Sequence, residues 1–388
     1  MTKFKKKILL IGPIGDFGGR ELETGFIAKS LAANFAVTIC STGNLSTKSQ
    51  VFDFVSQSQV YSLNNFVYSQ NLRIRIACFF SWIKNNRKLP IRFYVKSKYT
   101  KKFLGIEKYI KKQIEIQIKK SDCVLICAQL SSNYIETIID SAYQFEKPVF
   151  FRTTGTITKL TKNQPEYLRK VTQFIHHSEA NAQNLNSQEK LPYVIIDQCA
   201  YNEQLLLQIK LLKKKVTTFI TIGRLEKEKN IDVVIKAFLR IKENGDKLIV
   251  VGDGSELNNL KELAFGEESI LFTCFVPNAE LNNYLGKSDC VIISSDYEAG
   301  PLIGIEAMAA GKIIISAKIG AMPERIPENE FWFSNTVEDL IQQMKKVKKM
   351  EEDQIAAISA QMRKRYQENY SGKCIEESYN NFFTNHLS

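Results

Sequence analysis

Two glutamates flank the predicted start of a helix toward the end of the chain. The β-branched run Cys290–Ile293 indicates a buried strand, and helix-forming residues follow from Leu302 to Ala310. Glu298 lies in the loop between them, and Glu306 lies four residues after the helix start, on the same helical face. Carboxylates accept hydrogen bonds from sugar hydroxyls, so this pair is a candidate site for a polyol.

The start of this helix also predicts an anion site. Pro301 suits the first helical position, and Gly311 suits the residue just past the helix end. The amides of Leu302 and Ile303 have no partner within the helix, the dipole favours an anion there, and Gly300 is small. The stretch therefore fits a ligand that is part phosphate and part polyol. The alternative is an ordinary strand–loop–helix whose glutamate only complements the dipole.

Arg224 and Lys229 are further candidates for binding a phosphate. They lie five residues apart after the predicted strand Thr217–Ile222. Two permanent cations on one such loop can clamp a diphosphate and stabilise it as charge builds on a leaving group. Three charged residues lie between them, which leaves open the interpretation of a solvated loop.

Short apolar runs alternate with helical patterns, which predicts the α/β class with doubly wound parallel sheets. The glycine-rich loop after the first strand lacks the spacing of a dinucleotide-binding motif. The predicted strands are Lys7–Ile11, Ala36–Cys40, Asp122–Ala128, Pro148–Arg152, Phe174–His177, Tyr193–Ile196, Thr217–Ile222, Leu248–Val251, Ile270–Phe275, Cys290–Ile293 and Ile313–Ser316.

Two domains are expected, because 388 residues are too many for one compact core. The pattern changes at a leucine-rich stretch that ends in three lysines, and the strand–helix series then restarts. We expect a first domain at 1–200, a linker at 201–215, a second domain at 216–368, and a helix at 369–388 that packs back on the first domain.

The composition is globular, with 44% hydrophobic and 24% charged residues. The basic N-terminus precedes an apolar run that Gly12 and Pro13 stop at once, so we expect a first strand rather than a signal peptide. No run is long enough to span a bilayer, which favours a cytosolic protein. Four of the eight cysteines fall in apolar strand-like runs and there are three histidines, so we expect no disulfide and no metal.

The net charge of +12 is concentrated in one segment, residues 73–120, predicted to be mostly helical. It holds fifteen basic and two acidic residues. This pattern indicates attachment to an anionic membrane surface, a nucleic-acid groove, or merely solvated helices over a core. The interleaved aromatic residues are Phe79, Phe80, Trp82, Phe93, Tyr94, Tyr99, Phe103 and Tyr109.

Three motifs in the second half resemble those of the retaining family 4 glycosyltransferases. They are Gly223-Arg224-Leu225 followed by Lys229, then Val250-Val251-Gly252-Asp253-Gly254, then Glu298 through Gly311. The resemblance covers 217–330, is fainter over 7–40, and shows mostly in pattern over 145–205. It implies the GT-B fold, in which two Rossmann-like domains face each other across a cleft that binds a sugar nucleotide.

The resemblance also implies a role for each matching residue. Arg224 and Lys229 hold the donor diphosphate and, with Glu298, form the catalytic set, while Glu306 binds the ribose. The remaining donor-binding positions are Gly300 and the amides of Leu302 and Ile303 at the phosphate, Phe275 and Val276 against the base, and Gly18 and Gly19 in the first domain.

The chain departs from the family at three positions. Ala299 and Pro301 replace glycines found in many members, and the proline form also occurs in the family. Many members carry a histidine after the strand at 148–152, where this chain has Thr154, so Arg152 or Thr154 is a candidate for its place on the acceptor or donor-sugar side. The family retains anomeric configuration without an evident protein nucleophile, which makes leaving-group stabilisation by Arg224 and Lys229 the expected catalytic device, with no metal or cofactor.

We therefore expect a retaining hexosyltransferase that moves a sugar from a nucleotide-diphosphate sugar to a lipid-linked or surface-polysaccharide acceptor. We expect it to be cytoplasmic and peripheral on the inner face of the membrane through 73–120, with no nucleic-acid partner. A sugar-nucleotide epimerase is the alternative enzyme, although the shortage of histidines argues against its acid–base chemistry. The non-enzyme alternative is a nucleic-acid-binding protein, which predicts salt-sensitive binding with no need for the paired glutamates.

Overall fold

The computed structural model describes residues 5–159 and 164–387. The chain forms two compact units, each built around one parallel sheet. The first unit comprises Met1–His176, Ala182–Ile196 and Glu376–Ser388, and the second comprises His177–Asn181 and Asp197–Ile375. The α/β class is confirmed.

The sheet of the first unit has seven parallel strands in the order β3-β2-β1-β4-β5-β6-β7. Its central strands are apolar and buried on both faces, as expected when helices cover both sides of a parallel sheet. The strands are β1 (Lys7–Gly12), β2 (Ala36–Ser41), β3 (Val60–Ser62), β4 (Cys123–Ala128), β5 (Val149–Thr153), β6 (Gln173–His176) and β7 (Tyr193–Ile195).

Helices connect these strands. The segment expected to be mostly helical contains three helices and a short 3-10 turn at Ile91–Lys96. The helices are α1 (Gly19–Ala32), α2 (Leu63–Gln70), α3 (Leu72–Lys84), α4 (Lys98–Phe103), α5 (Ile106–Lys119), α6 (Ile135–Gln144) and α7 (Glu179–Leu185), of which the last begins in the second unit.

The sheet of the second unit has six parallel strands in the order β10-β9-β8-β11-β12-β13. Alternate strand residues supply two cores, one on each face: Phe219 and Leu248 face one core, and Ile220 and Ile249 face the other. The strands are β8 (Thr218–Ile222), β9 (Lys247–Val251), β10 (Ile270–Phe272), β11 (Cys290–Ile293), β12 (Ile313–Ala317) and β13 (Trp332–Phe333).

The helices of the second unit include the one that begins the predicted anion site. They are α8 (Glu203–Leu207), α9 (Ile231–Ile241), α10 (Leu257–Leu263), α11 (Leu281–Lys287), α12 (Leu302–Ala309), α13 (Met322–Arg325), α14 (Val337–Lys348) and α15 (Glu352–Asn369).

Ten of the eleven predicted strands are confirmed to within one residue at each end. The exception is the strand predicted at Ile270–Phe275, which ends at Phe272. Cys274 has φ of +58°, in the left-handed region, and this conformation is incompatible with an extended strand. The short edge strands β3 and β13 are not evident from the sequence, because two or three residues carry no periodicity.

The segment 201–215, expected to be a linker, lies inside the second unit. Leu206 is buried in one core of that unit and Leu212 in the other, so this leucine-rich stretch contributes apolar packing rather than a flexible connection.

The last helix, α16 (Gly372–Leu387), belongs to the first unit from Glu376 onward. The ring of Phe383 lies 5.1 Å from that of Phe150 and 6.3 Å from that of Phe35, centroid to centroid, and is fully buried. Asn380 Nδ2 donates to the carbonyl of Ser30 at 3.0 Å.

Replacement of Phe383 by alanine is expected to destabilise the first unit by about 3–5 kcal/mol, because it removes a buried aromatic ring and leaves a cavity. Urea unfolding followed by the fluorescence of Trp82, in a Trp332→Phe background, measures this loss in the first unit. The matched control is Phe103→Ala, whose ring is 63% exposed, with an expected cost of about 0.5 kcal/mol or less. Equal losses for the two variants would contradict the buried packing of α16.

Candidate functional site

The strand order of the second sheet reverses between β8 and β11, which are the first and fourth strands of that unit in sequence. They pair directly, with Cys290 opposite Phe219 and Val291 opposite Ile220. Because both strands are parallel, the loops that follow them leave from the same edge of the sheet. Such a reversal opens the crevice where doubly wound sheets bind ligands. The loop after β8 carries Arg224 and Lys229, and the loop after β11 carries Glu298.

Lys229 and Glu298 form an ion pair at this crevice. Both side chains are largely buried, and Ser295 Oγ donates a second hydrogen bond to the Glu298 carboxylate at 3.3 Å. The residues expected to bind a diphosphate and a sugar therefore contact each other directly. Because Glu298 neutralises Lys229, the pair adds little net charge to the site.

Four further hydrogen bonds connect the two loops. Asn230 Nδ2 donates to the carbonyl of Ser294 at 3.1 Å and to Asp296 Oδ1 at 2.7 Å. In return, Ser294 Oγ donates to the carbonyl of Lys229 at 2.7 Å, and the amide of Asp296 donates to the carbonyl of Glu228 at 2.9 Å. Sequence reasoning missed Asn230; its position directly after Lys229 and its left-handed φ of +51° are the only local signals.

Arg224 lies on the same loop with its side chain exposed, and its carbonyl accepts from the amide of Glu226 at 2.9 Å. Hydrogen bonds from Ser255, and then the charge of Arg224, lower the pKa of the Glu226 carboxyl. The loop packs against the turn after β9. Gly252 has φ of +141°, and a Cβ there would lie 1.8 Å from the carbonyl oxygen of Gly223, so a glycine is needed for this close approach. Arg224 is thus an exposed cation on a well-supported loop.

Helix α12 begins at Leu302, and Pro301 caps it with φ of −59° and ψ of 119°. Pro301 therefore lies one residue before the first helical position that was predicted for it, because its ψ is extended rather than helical. Leu302 and Ile303 occupy the first turn, where amides have no intrahelical partner, and both are half-buried. The helix ends at Ala309, and Gly311 follows with φ of +64°.

A buried arginine that the sequence did not suggest holds the start of α12. Arg325 is fully buried and donates from Nε and Nη2 to the two carboxylate oxygens of Asp197, at 2.8 and 2.7 Å. Its Nη1 donates to the carbonyl of Pro301 at 2.6 Å. A Cβ at Gly300 would lie 2.7 Å from Nη2, so the small residue there admits the guanidinium. Gln198 Nε2 also donates to the carbonyl of Gly300 at 2.5 Å.

Glu306 is buried inside α12, with 2% of its surface exposed. Its Oε1 has no hydrogen-bond partner among the described residues, and burial raises the pKa of its carboxyl to about 7. An unpartnered buried carboxyl is costly to the fold, since a polar group loses its water without compensation. A ligand hydroxyl that donates a hydrogen bond to Oε1 relieves such a cost.

Phe275 and Val276 follow the end of β10 at the same edge of the second sheet. The ring of Phe275 is 56% exposed and Val276 is half-buried. An exposed aromatic face at this edge suits stacking against a flat ring. The left-handed residue Cys274 just before them turns the chain out of the strand.

In the first unit, the predicted glycines Gly18 and Gly19 lie at the start of α1. Gly18 precedes the helix and its amide donates to Gln50 Oε1 at 2.8 Å, while Gly19 is the first helical residue. The next residue, Arg20, donates from Nε to Thr154 Oγ1 at 3.1 Å and from Nη1 to the carbonyl of Pro13 at 3.1 Å. Thr154 thus contacts a cation that sequence reasoning missed, although it directly follows the two glycines.

Arg152 lies elsewhere in the first unit and is fully buried. Its Nε and Nη2 donate to Glu23 Oε1 on α1 at 2.8 and 2.5 Å, and its Nη1 donates to the carbonyl of Ile196. In this structure the Arg152 guanidinium crosslinks β5 and α1. The expectation that Arg152 or Thr154 takes the place of the family histidine stays a prediction.

Within 5–159 and 164–387, no group of three or more His, Cys, Asp or Glu side chains is arranged to hold a metal ion. In the same ranges, no helix has the length and apolarity required to cross a bilayer.

The chain matches the family described as Glycosyl transferases group 1 over residues 202–370, most of the second unit. The alpha-monoglucosyldiacylglycerol synthase of Streptococcus pneumoniae is 35% identical over 104 residues, which are 26% of this chain and 24% of that protein. The N-acetyl-alpha-D-glucosaminyl L-malate synthase of Bacillus anthracis is 32% identical over 146 residues, 36% of this chain and 38% of that protein. These matches thus span about a quarter and about two fifths of the two relatives.

The whole chain is similar in fold to the crystal structure of Anabaena Alr3699/HepE in complex with UDP and glucose. The TM-score is 0.69, the identity is 14%, and the match covers 98% of this chain and 99% of that one. The expected GT-B fold is confirmed by this likeness and by the family match.

Replacement of Asp197 by asparagine is expected to lower the free energy of unfolding by roughly 3–5 kcal/mol, because it leaves the Arg325 guanidinium buried without a counter-charge. Chemical denaturation measures the loss, and hydrogen exchange of residues 298–303 reports the release of the loop before α12. The control is Glu338→Gln, which breaks the exposed pair with Arg240 and is expected to leave the transition unchanged. Unaltered exchange in Asp197→Asn would show that Arg325 does not hold the loop.

Glu306 is expected to make stability depend on pH. Its pKa is raised from 4.5 to about 7 in the folded chain, so the folded state binds more protons than the unfolded state between these values. Stability therefore falls as pH rises through this window, and Glu306→Gln removes the effect. From pH 4 to pH 8 the variant is expected to gain about 2–4 kcal/mol relative to the wild type in urea unfolding. A difference that does not change with pH would contradict an unpaired buried carboxyl.

Proposed function

We propose that this chain transfers a hexosyl group from a nucleotide-diphosphate sugar with retention of configuration, as a glycosyltransferase of group 1. The match to the group 1 glycosyltransferase family over 202–370 and the GT-B fold support this proposal. The observation that carries it is the crevice at the strand reversal. There the Lys229–Glu298 pair, the exposed Arg224 and the start of α12 belong to loops that leave the same sheet edge.

The diphosphate is assigned to Arg224, Lys229 and the first amides of α12. Phosphate oxygens accept hydrogen bonds from cationic side chains and from the free amides of Leu302 and Ile303, where the dipole also favours an anion. Arg224 supplies the net positive charge, because Glu298 already neutralises Lys229. As the sugar–phosphate bond breaks, negative charge grows on the diphosphate and these groups stabilise it. The cations supply this stabilisation without a metal or other cofactor.

The hydroxyl groups of the donor are assigned to the two glutamates. Glu298 faces the sugar while it keeps Lys229 oriented, and Gly300 lets Arg325 approach the loop that carries Glu298. Glu306 accepts from the ribose, which supplies the partner that Oε1 lacks. A hydrogen bond to the ionised carboxylate favours that form, so donor binding lowers the pKa of Glu306. Phe275 and Val276 are proposed to lie against the base.

A lipid-linked or surface-polysaccharide sugar is proposed as the acceptor, at the inner face of the cell membrane. The similarity to an alpha-monoglucosyldiacylglycerol synthase supports an acceptor of lipid character. In the first unit, Thr154 and the adjacent Arg20 are candidates for contacts with substrate, whereas Arg152 holds the sheet to α1. A donor contact by Gly18 and Gly19 stays a prediction of the resemblance.

The test is hydrolytic turnover of a panel of sugar nucleotides, in which water takes the sugar and free nucleoside diphosphate is released, with donor affinity measured by calorimetry. Arg224→Ala is expected to reduce turnover by about 100- to 1,000-fold, because it removes the charge that stabilises the leaving group. Lys229→Ala and Glu298→Ala are expected to weaken both turnover and donor binding, since each also releases the other residue.

Lys227→Ala is the matched control, because Lys227 is an exposed lysine two residues from Lys229 on the same turn. Its turnover is expected to equal that of the wild type. Full activity in both Arg224→Ala and Glu298→Ala would refute the proposed site. Conversion of a sugar nucleotide without release of nucleoside diphosphate would indicate an epimerase instead.

A further inference from the structure

Helix α3 carries a row of exposed apolar side chains. Leu72, Ile76, Phe79 and Ile83 follow one another at helical spacings of four, three and four residues, and Phe80 lies beside them. Each is at least 43% exposed, and Leu72 and Phe80 exceed 60%. We call these five residues the α3 exposed face.

The opposite side of α3 is anchored in the core of the first unit. Ile74, Ala77 and Cys78 are buried, and Ile74 and Cys78 belong to the main core cluster. The packing of α3 into the core of the first unit therefore does not use the side chains of the α3 exposed face. A helix that is apolar on both sides needs a second apolar environment for the side that the core does not cover.

The charge around this face has one sign. From residue 54 to residue 106 the sequence contains no aspartate or glutamate, whereas it contains ten lysines and arginines. Arg73 and Arg75 lie on α3 on either side of the exposed row, Lys84 is its last residue, and all three are exposed. The surface thus combines an apolar strip with a basic border.

We propose that the α3 exposed face inserts into the interfacial layer of an anionic bilayer, with its basic border on the lipid headgroups. Apolar side chains then enter the boundary with the acyl chains while arginine and lysine meet negative charge. A 13-residue helix is about 20 Å long, which suits a helix lying in the membrane plane. Exposed aromatic residues on the two following helices, Tyr99, Phe103 and Tyr109, suit the same interface.

Lipid fits this surface better than a nucleic acid does. A single-stranded nucleic acid stacks its bases on aromatic rings, so phosphate and base contacts leave aliphatic Leu72, Ile76 and Ile83 without a partner. A bilayer accommodates aliphatic and aromatic side chains equally. Membrane binding by the α3 exposed face is argued independently of the proposed function. Only its purpose rests on that function, and this purpose is to bring the enzyme to a lipid-linked acceptor.

The experiment measures binding of the full chain to vesicles of phosphatidylcholine with and without phosphatidylglycerol. Wild type is expected to bind only the anionic vesicles, and less at high salt. Ile76→Gln/Phe80→Gln is expected to bind at least about tenfold more weakly, because two apolar side chains no longer leave water. In a Trp332→Phe background, Trp82 on the same helix is expected to be quenched by brominated lipid.

The control is Phe265→Gln, which replaces the most exposed phenylalanine of the described residues, 93% exposed and in the second unit. It is expected to bind vesicles as the wild type does. Unchanged binding of the double variant, equal binding to neutral vesicles, or displacement of vesicles by an oligonucleotide would overturn the inference.

Release of nucleoside diphosphate in the absence of vesicles separates this inference from the proposed function. The double variant is expected to retain it, because the α3 exposed face lies outside the second unit that carries the donor residues. If the wild type binds vesicles but neither binds a sugar nucleotide in calorimetry nor releases nucleoside diphosphate with water as the sugar acceptor, the donor chemistry is refuted and the membrane inference is unaffected.

Discussion

The direct pairing of β8 with β11 is the constraint on which the candidate site depends. The end of β8 at Ile222 and the start of β11 at Cys290 are 68 residues apart in sequence, yet the sheet makes the two strands adjacent and parallel. Their loops consequently leave the same edge. Lys229 reaches Glu298, and Asn230 reaches Ser294 and Asp296, only because of this adjacency.

The loop before α12 is held by groups that are buried at a cost. Desolvation of the Arg325 guanidinium is tolerated because Asp197 provides a bidentate counter-charge and Pro301 a carbonyl. Glu306, one turn further on, has no such compensation at Oε1. The hydrogen-bonded loop before α12 thus lies beside a carboxyl whose Oε1 has no partner among the described residues. This combination is expected where folding stability is given up for ligand binding.

The two units share one strand order but differ in what their carboxyl edges carry. In the second unit the cations and carboxylates lie on neighbouring loops, and the side chain of Arg224 is exposed. In the first unit the pair of Arg152 with Glu23 is buried, and the half-buried Arg20 contacts Thr154. The first unit also exposes the apolar face of α3. The donor chemistry and the membrane attachment that we propose therefore fall on different units.

The sequence by itself determined ten of the thirteen strands of the described residues, the fold class, and the helix start that follows Glu298, because strand patterning and helix initiation depend on near neighbours. Only the tertiary structure decided which charges meet. Lys229 and Glu298 are 69 residues apart, Arg325 and Asp197 are 128 apart, and Arg152 and Glu23 are 129 apart. Local periodicity carries no information on such pairs, so Arg325 and the pairing of Arg152 with Glu23 were both missed. The sequence also identified 73–120 as basic and aromatic, whereas packing against the core decided which side of α3 is exposed.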